Sequence, residues 1–176
     1  MEIILAENYG FCYGVKRAVE MADEAANSEG KSYTLGPIIH NPQVVGRLES
    51  KGVSPIQEVA DIDEGTMIIR SHGVGPAIYA EAEEKGLHIL DATCPHVKKA
   101  QQDAKSVIED GMTLVILGEK NHPEVKSINL WANNRGIIIE DEESAEKLQI
   151  VEKMGVVVQT TFSQFKFNSI IEILEK

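Results

Sequence analysis

The chain has 176 residues, 43% of them hydrophobic, and a formal net charge of −11. This length and apolar content suffice for one globular domain or two small ones. Nucleic-acid binding needs a basic surface, and the lysines and arginines here are scattered, so we expect no nucleic-acid partner. No apolar run approaches the roughly 20 residues that span a bilayer. The N-terminus also lacks the basic region of a secretion signal. We therefore expect a cytoplasmic protein with no membrane partner.

Short β-rich runs alternate with helical patterns in the first half of the chain. Residues 2–6 predict a buried strand, and a helix follows with Val15, Ala18, Val19 and Ala22 at i, i+3, i+4 and i+7. Three further strand–helix pairs are predicted, with strands at 32–35, 66–69 and 87–90 and helices at 43–50, from Pro76 to just before Gly86, and from about 96 to Gly111.

The same alternation continues in the second half of the chain. Strands are predicted at 113–117, 136–139 and 156–158, and helices at 123–132, at 142–150 and around the stripe of Phe167, Ile170, Ile171 and Leu174. Continuous apolar strands that alternate with helices indicate parallel sheets with helices on both faces. We therefore predict an α/β fold of two similar units: an N-terminal strand segment at 1–12, a first unit at 13–95, and a second unit at 96–176 that stops inside its last helix.

The polar residues whose side chains could act in binding or catalysis share one kind of position, since each follows a predicted strand and precedes a helix. They are Cys12, His40, His72, Cys94, His122, Glu124 and Thr160. Such junctions all fall on the carboxyl edge of a parallel sheet, where ligands bind in open α/β folds. We therefore expect these distant residues to meet in one cleft.

The residue types at these junctions favour a metal and an anion. Two cysteines in a chain of this length do not form a disulfide framework. A helix N-terminus lowers the pKa of a thiol and prepares Cys12 and Cys94 as metal ligands. Histidines beside helix N-termini can cradle an anion, while Glu124 can act as an acid and Thr160 can orient a polar group.

Each of these residues also has a simpler structural interpretation. A lone cysteine is often a small buried hydrophobic residue, and a lone histidine at the end of a strand is often only hydrogen-bonded. Glu124 could be a solvated carboxylate in the first turn of a helix, and Thr160 could be a cap. The glycines at 73 and 75 resemble a phosphate loop only faintly, since neither established nucleotide-binding glycine motif is present.

Six short strings in order resemble the motifs of the 4-hydroxy-3-methylbut-2-enyl diphosphate reductase family, also called LytB, and the resemblance covers essentially the whole chain. They are GFCYGV at 10–15, IHN at 39–41, SHGV at 71–74, DATCP at 91–95, HPEV at 122–125 and QTT at 159–161. The resemblance implies three α/β units around a [4Fe–4S] cluster held by three cysteines. It also implies reductive dehydroxylation of the allylic diphosphate to isopentenyl and dimethylallyl diphosphate, with electrons from a ferredoxin- or flavodoxin-type partner.

The resemblance also implies roles for individual residues. Cys12 and Cys94 match two cluster ligands, and Glu124 matches the acid that delivers protons to the departing hydroxyl group. Thr160 matches the active-site threonine near that group. The histidines at the substrate diphosphate are matched by His40, His72 and His122.

The sequence departs from this family in one respect, because these 176 residues contain no third cysteine and no match to the third unit that the family implies. We expect a fragment or an engineered piece of the enzyme that by itself lacks the cluster and is inactive. The missing unit should leave an exposed apolar surface, so self-association is expected. Two alternatives stay open at this point: a non-catalytic diphosphate-binding protein, and a zinc-binding α/β protein.

Overall fold

The computed structural model describes residues 2–7, 9–149 and 152–175, which contain two parallel β-sheets. The first sheet has the strand order β2-β1-β3-β4, with β1 at Ser32–Leu35, β2 at Val53–Ile56, β3 at Thr66–Ile69 and β4 at His88–Asp91. The second has the order β6-β5-β7, with β5 at Thr113–Leu117, β6 at Ile137–Ile139 and β7 at Met154–Val158. The predicted α/β class with two parallel sheets is confirmed.

Seven α-helices accompany these strands within the described residues. They are α1 (Tyr13–Ala26), α2 (Pro42–Glu49), α3 (Pro76–Glu84), α4 (Pro95–Glu109), α5 (Pro123–Trp131), α6 (Glu142–Glu146) and α7 (Gln164–Leu174). Helix α1 precedes β1, α7 follows β7, and the other five lie between strands. A short 3₁₀-helix lies at Val59–Asp61. None of the helices in the described part of the chain has the length and apolar character needed to cross a membrane.

Helices cover both faces of each sheet because successive strand residues point to opposite sides. Ile68 of β3 packs with Ala18 and Ala22 of α1, whereas its neighbours Met67 and Ile69 pack in the cluster that contains Ala82 of α3. The same alternation divides β5, whose residues contact α4 and α5 on one face and α6 and α7 on the other. The predicted helical stripes are therefore the surfaces that bury the sheets.

Proline marks the start of four helices, namely α2, α3, α4 and α5. Proline favours the first helical turn because its φ angle is already helical and its missing N–H would have no partner there. It therefore fixes the preceding residue as the N-cap, which is Cys94 for α4 and His122 for α5. Local sequence thus places two of the predicted site residues at helix N-termini.

The predicted strand at 2–6 is wrong. The described residues 2–6 have no strand structure, and Ile3, Ile4 and Leu5 are exposed by 76%, 83% and 74%. A strand must pair its N–H and C=O groups with a neighbour, and no strand of either sheet pairs with residues 2–6. The apolar run that predicted a buried strand therefore lies open, and the predicted segment 1–12 contains no strand among its described residues.

Two other elements differ from the sequence prediction. The edge strand β2 was not predicted, because Pro55 interrupts its short apolar pattern; an edge position tolerates the missing N–H of proline. Helix α6 ends at Glu146 and is shorter than the predicted 142–150, whose last residue lies outside the described residues. Neither difference moves a predicted site residue.

Close contacts join the two sheet units along the loop between β3 and α3. The indole N–H of Trp131 in α5 donates to the carbonyl of Val74 at 2.8 Å. A Cβ atom on Gly75 would lie 2.8 Å from Leu130, so only glycine allows this approach of the loop to α5. These contacts bring the carboxyl edges of the two sheets next to each other. The unit boundaries 13–95 and 96–176 stay a prediction.

Candidate active site

Backbone hydrogen bonds hold three junctions of the first sheet together. The Ser71 hydroxyl donates to the carbonyl of Ile38 at 3.4 Å, and the Cys94 N–H donates to the carbonyl of Ser71 at 2.9 Å. Ser71 directly precedes His72, and Ile38 lies two residues before His40. The loops that carry two of the histidines and one of the cysteines are therefore tied to one another.

The three predicted substrate-binding histidines come together at the edge of the two sheets. The ring centroids of His40 and His72 are 4.8 Å apart, those of His72 and His122 are 5.4 Å apart, and those of His40 and His122 are 6.5 Å apart. His40 is exposed, while His72 and His122 are half-buried. This arrangement is an open cluster of imidazoles that a small anion can reach from solvent.

His72 is the innermost of the three, and its surroundings disfavour its charged form. Burial lowers its pKa to about 4, and the positive charges of His40, Arg70 and His122 act in the same direction. Its Nδ1 atom is buried and has no hydrogen-bond partner. A ring held neutral in this way can act as both a hydrogen-bond donor and an acceptor.

His122 is oriented by the helix that it caps. Its Nδ1 atom accepts a hydrogen bond from the N–H of Glu124 at 3.2 Å. An accepting Nδ1 carries no proton, so the neutral ring has its N–H at Nε2. The helix N-terminus thus leaves the Nε2–H of His122 available as a donor.

The buried carboxyl group of Glu124, two residues after this histidine, is hydrogen-bonded to Thr160. Glu124 is 2% exposed, and its Oε1 atom accepts the backbone N–H of Thr160 at 2.6 Å. Its Oε2 atom accepts the Thr160 hydroxyl at 2.8 Å. A carboxyl group fixed at both oxygens cannot rotate freely, so any proton that it gives or takes moves along a defined direction.

Gln159 holds the loop that carries Thr160, a role that the sequence did not reveal. Its buried side chain accepts the N–H of Glu119 at 3.0 Å and donates to the Thr161 hydroxyl at 2.8 Å. The sequence marked it only by its place in the QTT string, directly before Thr160 at the end of a predicted strand. Gln159 therefore joins the loop after β5 to the loop after β7, which carries Thr160.

The two cysteines occupy equivalent positions, at the N-caps of α1 and α4. Cys12 is exposed and Cys94 is half-buried, and both are free thiols. A Cβ atom on Gly14, in the first turn of α1, would lie 2.5 Å from the Sγ atom of Cys94, so this glycine makes room for the sulfur. The two helix N-termini therefore approach each other closely.

The donor set fits an iron–sulfur cluster only in part. Thiolates at helix N-termini are suitable cluster ligands, and the chain contains two cysteines. Within the described ranges no group of three or more histidine, cysteine, aspartate or glutamate side chains is arranged to hold a single metal ion. The residues present could thus supply two ligands of a larger centre, and the zinc alternative lacks a site of its own in the described structure.

The chain is similar to proteins of one known family. A family model described as "LytB protein" matches residues 3–176. The 4-hydroxy-3-methylbut-2-enyl diphosphate reductase of Geobacter metallireducens is 48% identical over 178 aligned positions, which cover 100% of this chain and 63% of the relative. The reductase of the same name from Pelobacter propionicus is 49% identical with the same coverage.

Two solved structures share the fold. A structure of (E)-4-hydroxy-3-methyl-but-2-enyl diphosphate reductase, described as the terminal enzyme of the non-mevalonate pathway, matches with a TM-score of 0.87 and 43% identity over 98% of this chain. The E-1-hydroxy-2-methyl-but-2-enyl-4-diphosphate reductase of Plasmodium falciparum matches with a TM-score of 0.90 and 31% identity over 96% of this chain. The chain spans 63% and 54% of the lengths of these two proteins.

Proposed function

The chain belongs to the LytB family, and from that membership we propose that it supplies the substrate-anchoring and proton-donating residues of a 4-hydroxy-3-methylbut-2-enyl diphosphate reductase. The observation that carries this proposal is a cluster of three imidazoles with ring centroids within 6.5 Å of one another. One of them, His122, caps the helix whose first turn carries the buried Glu124, and the Glu124 carboxyl group is held by Thr160. The reaction adds two electrons and two protons, expels water and gives isopentenyl and dimethylallyl diphosphate.

The imidazole cluster is proposed to hold the diphosphate. The Nε2–H of His122 faces away from the cap hydrogen bond and can donate to a phosphate oxygen. His40 is exposed, so a ligand can reach the imidazole cluster from solvent. The backbone N–H groups at the start of α5 favour a bound group with negative charge.

Glu124 is proposed to deliver the proton that lets the allylic hydroxyl leave as water. Hydroxide is a poor leaving group, and a carboxylic acid held nearby can protonate the oxygen as the C–O bond breaks. Thr160 keeps the carboxyl group in place, because its hydroxyl donates a hydrogen bond to Oε2 of Glu124. The charge that forms on Glu124 is then stabilised by the N–H and O–H of Thr160.

Cys12 and Cys94 are proposed to bind two irons of a [4Fe–4S] cluster, and the third thiolate would come from residues outside these 176. Such a cluster, when bound, supplies the electrons and a Lewis-acidic iron for the substrate oxygen. The electron source would be a ferredoxin- or flavodoxin-type protein, and the enzyme would be cytoplasmic. We expect the isolated chain to bind the diphosphate without turning it over.

The test joins the chain to the remaining C-terminal part of the Geobacter metallireducens reductase and measures anaerobic reduction of the substrate after the iron content is verified. Glu124→Gln should lower kcat by about 100-fold or more, the range of a lost general acid, while leaving diphosphate binding intact. The control is Glu143→Gln, which changes an exposed first-turn carboxylate of α6. An iron-loaded protein whose kcat is unaffected by Glu124→Gln would contradict the proposed role.

A further inference from the structure

A cavity of about 370 Å³ opens between the two sheet units, beside the loops that carry His72 and His122. Loops after β1, β2 and β3 form one side of it, and α5 with the loop before it forms the other. Its lining residues are Leu35, Gly36, Gln57, Arg70, Gly73, Val74, Gly75, Ile78, Asn121, Pro123, Lys126, Ser127 and Leu130. None of the histidines or cysteines of the candidate active site, and neither Glu124 nor Thr160, lines this cavity.

The charges around this cavity are all positive. Arg70 and Lys126 line it, and no aspartate or glutamate is among its described lining residues. Neither cation forms an ion pair with any residue in the described part of the chain. In a chain with a net charge of −11, this is a local positive site whose balancing charge does not come from the described residues.

Of the two cations, Arg70 more clearly lacks a hydrogen-bond partner. Burial lowers the pKa of its guanidinium, and its Nε atom is buried without a hydrogen-bond partner. A buried charged donor is costly unless it is paired and hydrogen-bonded. Gly36 has a φ of +72° and packs against Arg70, and a Cβ atom there would lie 2.9 Å from Nη1. Gly36 thus leaves room for the Arg70 guanidinium, and no carboxylate of the described residues pairs with it.

The rest of the lining combines neutral donors with an apolar wall. Ser127 is buried, and its hydroxyl oxygen accepts the side-chain N–H of Gln101 at 2.6 Å, which leaves the hydroxyl hydrogen free to donate. The side-chain amides of Gln57 and Asn121 also line the cavity. Apolar contact is available from Leu35, Val74, Ile78 and Leu130.

We propose that this cavity is a second anion-binding site, specific for a small organic phosphate that carries a short apolar group. The phosphate oxygens accept hydrogen bonds from Arg70, and from Lys126 at the rim, since guanidinium groups bind phosphate through two parallel N–H donors. The apolar group lies against the aliphatic side chains. The cavity lies next to the candidate active site, and Arg70 also lowers the pKa of His72, but no lining side chain belongs to the imidazole cluster or to the Glu124–Thr160 pair.

Calorimetric titration of the 176-residue chain with butyl phosphate, inorganic phosphate and butanol tests the proposal. Butyl phosphate should bind more tightly than inorganic phosphate, and butanol should not bind measurably. Arg70→Gln should weaken butyl phosphate binding by about tenfold or more, the cost of a lost charge-assisted hydrogen bond pair. Lys126→Gln should weaken it by a smaller factor, because Lys126 is exposed.

Two further variants separate this site from the active site and from general charge effects. Lys99→Gln removes a positive charge that pairs with Asp103 on the surface of α4, and it should leave binding unchanged. His40→Gln should weaken only the phosphate binding of the imidazole cluster itself, and it should leave the component of butyl phosphate binding that is lost in Arg70→Gln unchanged. Binding that is lost in His40→Gln but retained in both Arg70→Gln and Lys126→Gln would overturn the second site while leaving the proposed function intact. Equal binding of butyl phosphate and inorganic phosphate would overturn the specificity for an apolar group.

Discussion

Thr160 binds both carboxylate oxygens of Glu124, one through its backbone N–H at 2.6 Å and the other through its hydroxyl at 2.8 Å. The two residues come from different elements, Glu124 from the first turn of α5 and Thr160 from the loop after β7. Glu124 is buried while Thr160 is exposed. The threonine therefore fixes the direction of a buried carboxylate.

Replacing Thr160 by valine should destabilise the fold. The change removes the hydroxyl donor and leaves Glu124 Oε2 without its described partner, which costs about 1–3 kcal/mol for a buried acceptor. Urea unfolding of Thr160→Val against the unmodified chain measures this free energy. Thr160→Ser keeps the hydroxyl and should retain most of the stability; if serine is as damaging as valine, the hydroxyl bond is not the cause.

The stability of the chain should depend on pH through His72. Its folded pKa of about 4 lies below the ordinary value of 6.5, so the unfolded chain binds a proton more readily between these values. The contribution of His72 to stability is therefore complete above pH 6.5 and decreases as the pH falls towards 4. Urea midpoints measured from pH 4 to pH 7 should fall less steeply with acid in His72→Gln.

A second variant tests the cause of this shift. His40→Gln removes a positive charge beside His72 and should raise the pKa of His72, which an NMR titration of its ring carbon resolves. A His72 ring that titrates at its ordinary value in the unmodified chain, or that is unaffected by His40→Gln, would contradict the described surroundings.

Two helical glycines should respond oppositely to alanine. Gly46 of α2 has open space around its Cβ position, so Gly46→Ala should stabilise the chain by about 1 kcal/mol through helix propensity. A Cβ atom on Gly14 would lie 2.5 Å from Cys94 Sγ, so Gly14→Ala should destabilise it by about 1–3 kcal/mol. Thermal or urea unfolding compares the two. Combining Gly14→Ala with Cys94→Ala removes the clashing sulfur and should recover part of the loss; no recovery would mean that the sulfur is not the obstacle.

The exposed apolar residues near the N-terminus should promote self-association. Ile3, Ile4 and Leu5 form a contiguous exposed run, and such runs associate to remove apolar area from water. The weight-average mass measured by sedimentation velocity should rise with concentration and fall in Ile4→Glu. Phe165→Glu changes a single exposed apolar residue on α7 and should have a smaller effect; an equal effect would point to a different contact surface.

The sequence by itself determined the alternation of strands and helices and the placement of the reactive residues. The spacing of apolar residues and the positions of prolines are local properties of the sequence. For this reason β3, α3, α4 and β5 could be predicted within a residue or two. The same local information placed Cys94 and His122 directly before a helix. The six ordered strings then indicated the family, because their order and spacing are specific even though each string is weak.

Only the tertiary structure decided which residues meet. His40, His72 and His122 come from three separate loops, and Glu124 lies 36 positions from Thr160, so their distances depend on how the sheets and helices pack. The unpaired Arg70 and the supporting hydrogen bonds of Gln159 could not be predicted for the same reason. Residues 2–6 were predicted as a strand from apolar character, but a strand exists only where another strand accepts its hydrogen bonds. Apolar character is encoded along the chain, whereas a hydrogen-bond partner is supplied by the fold.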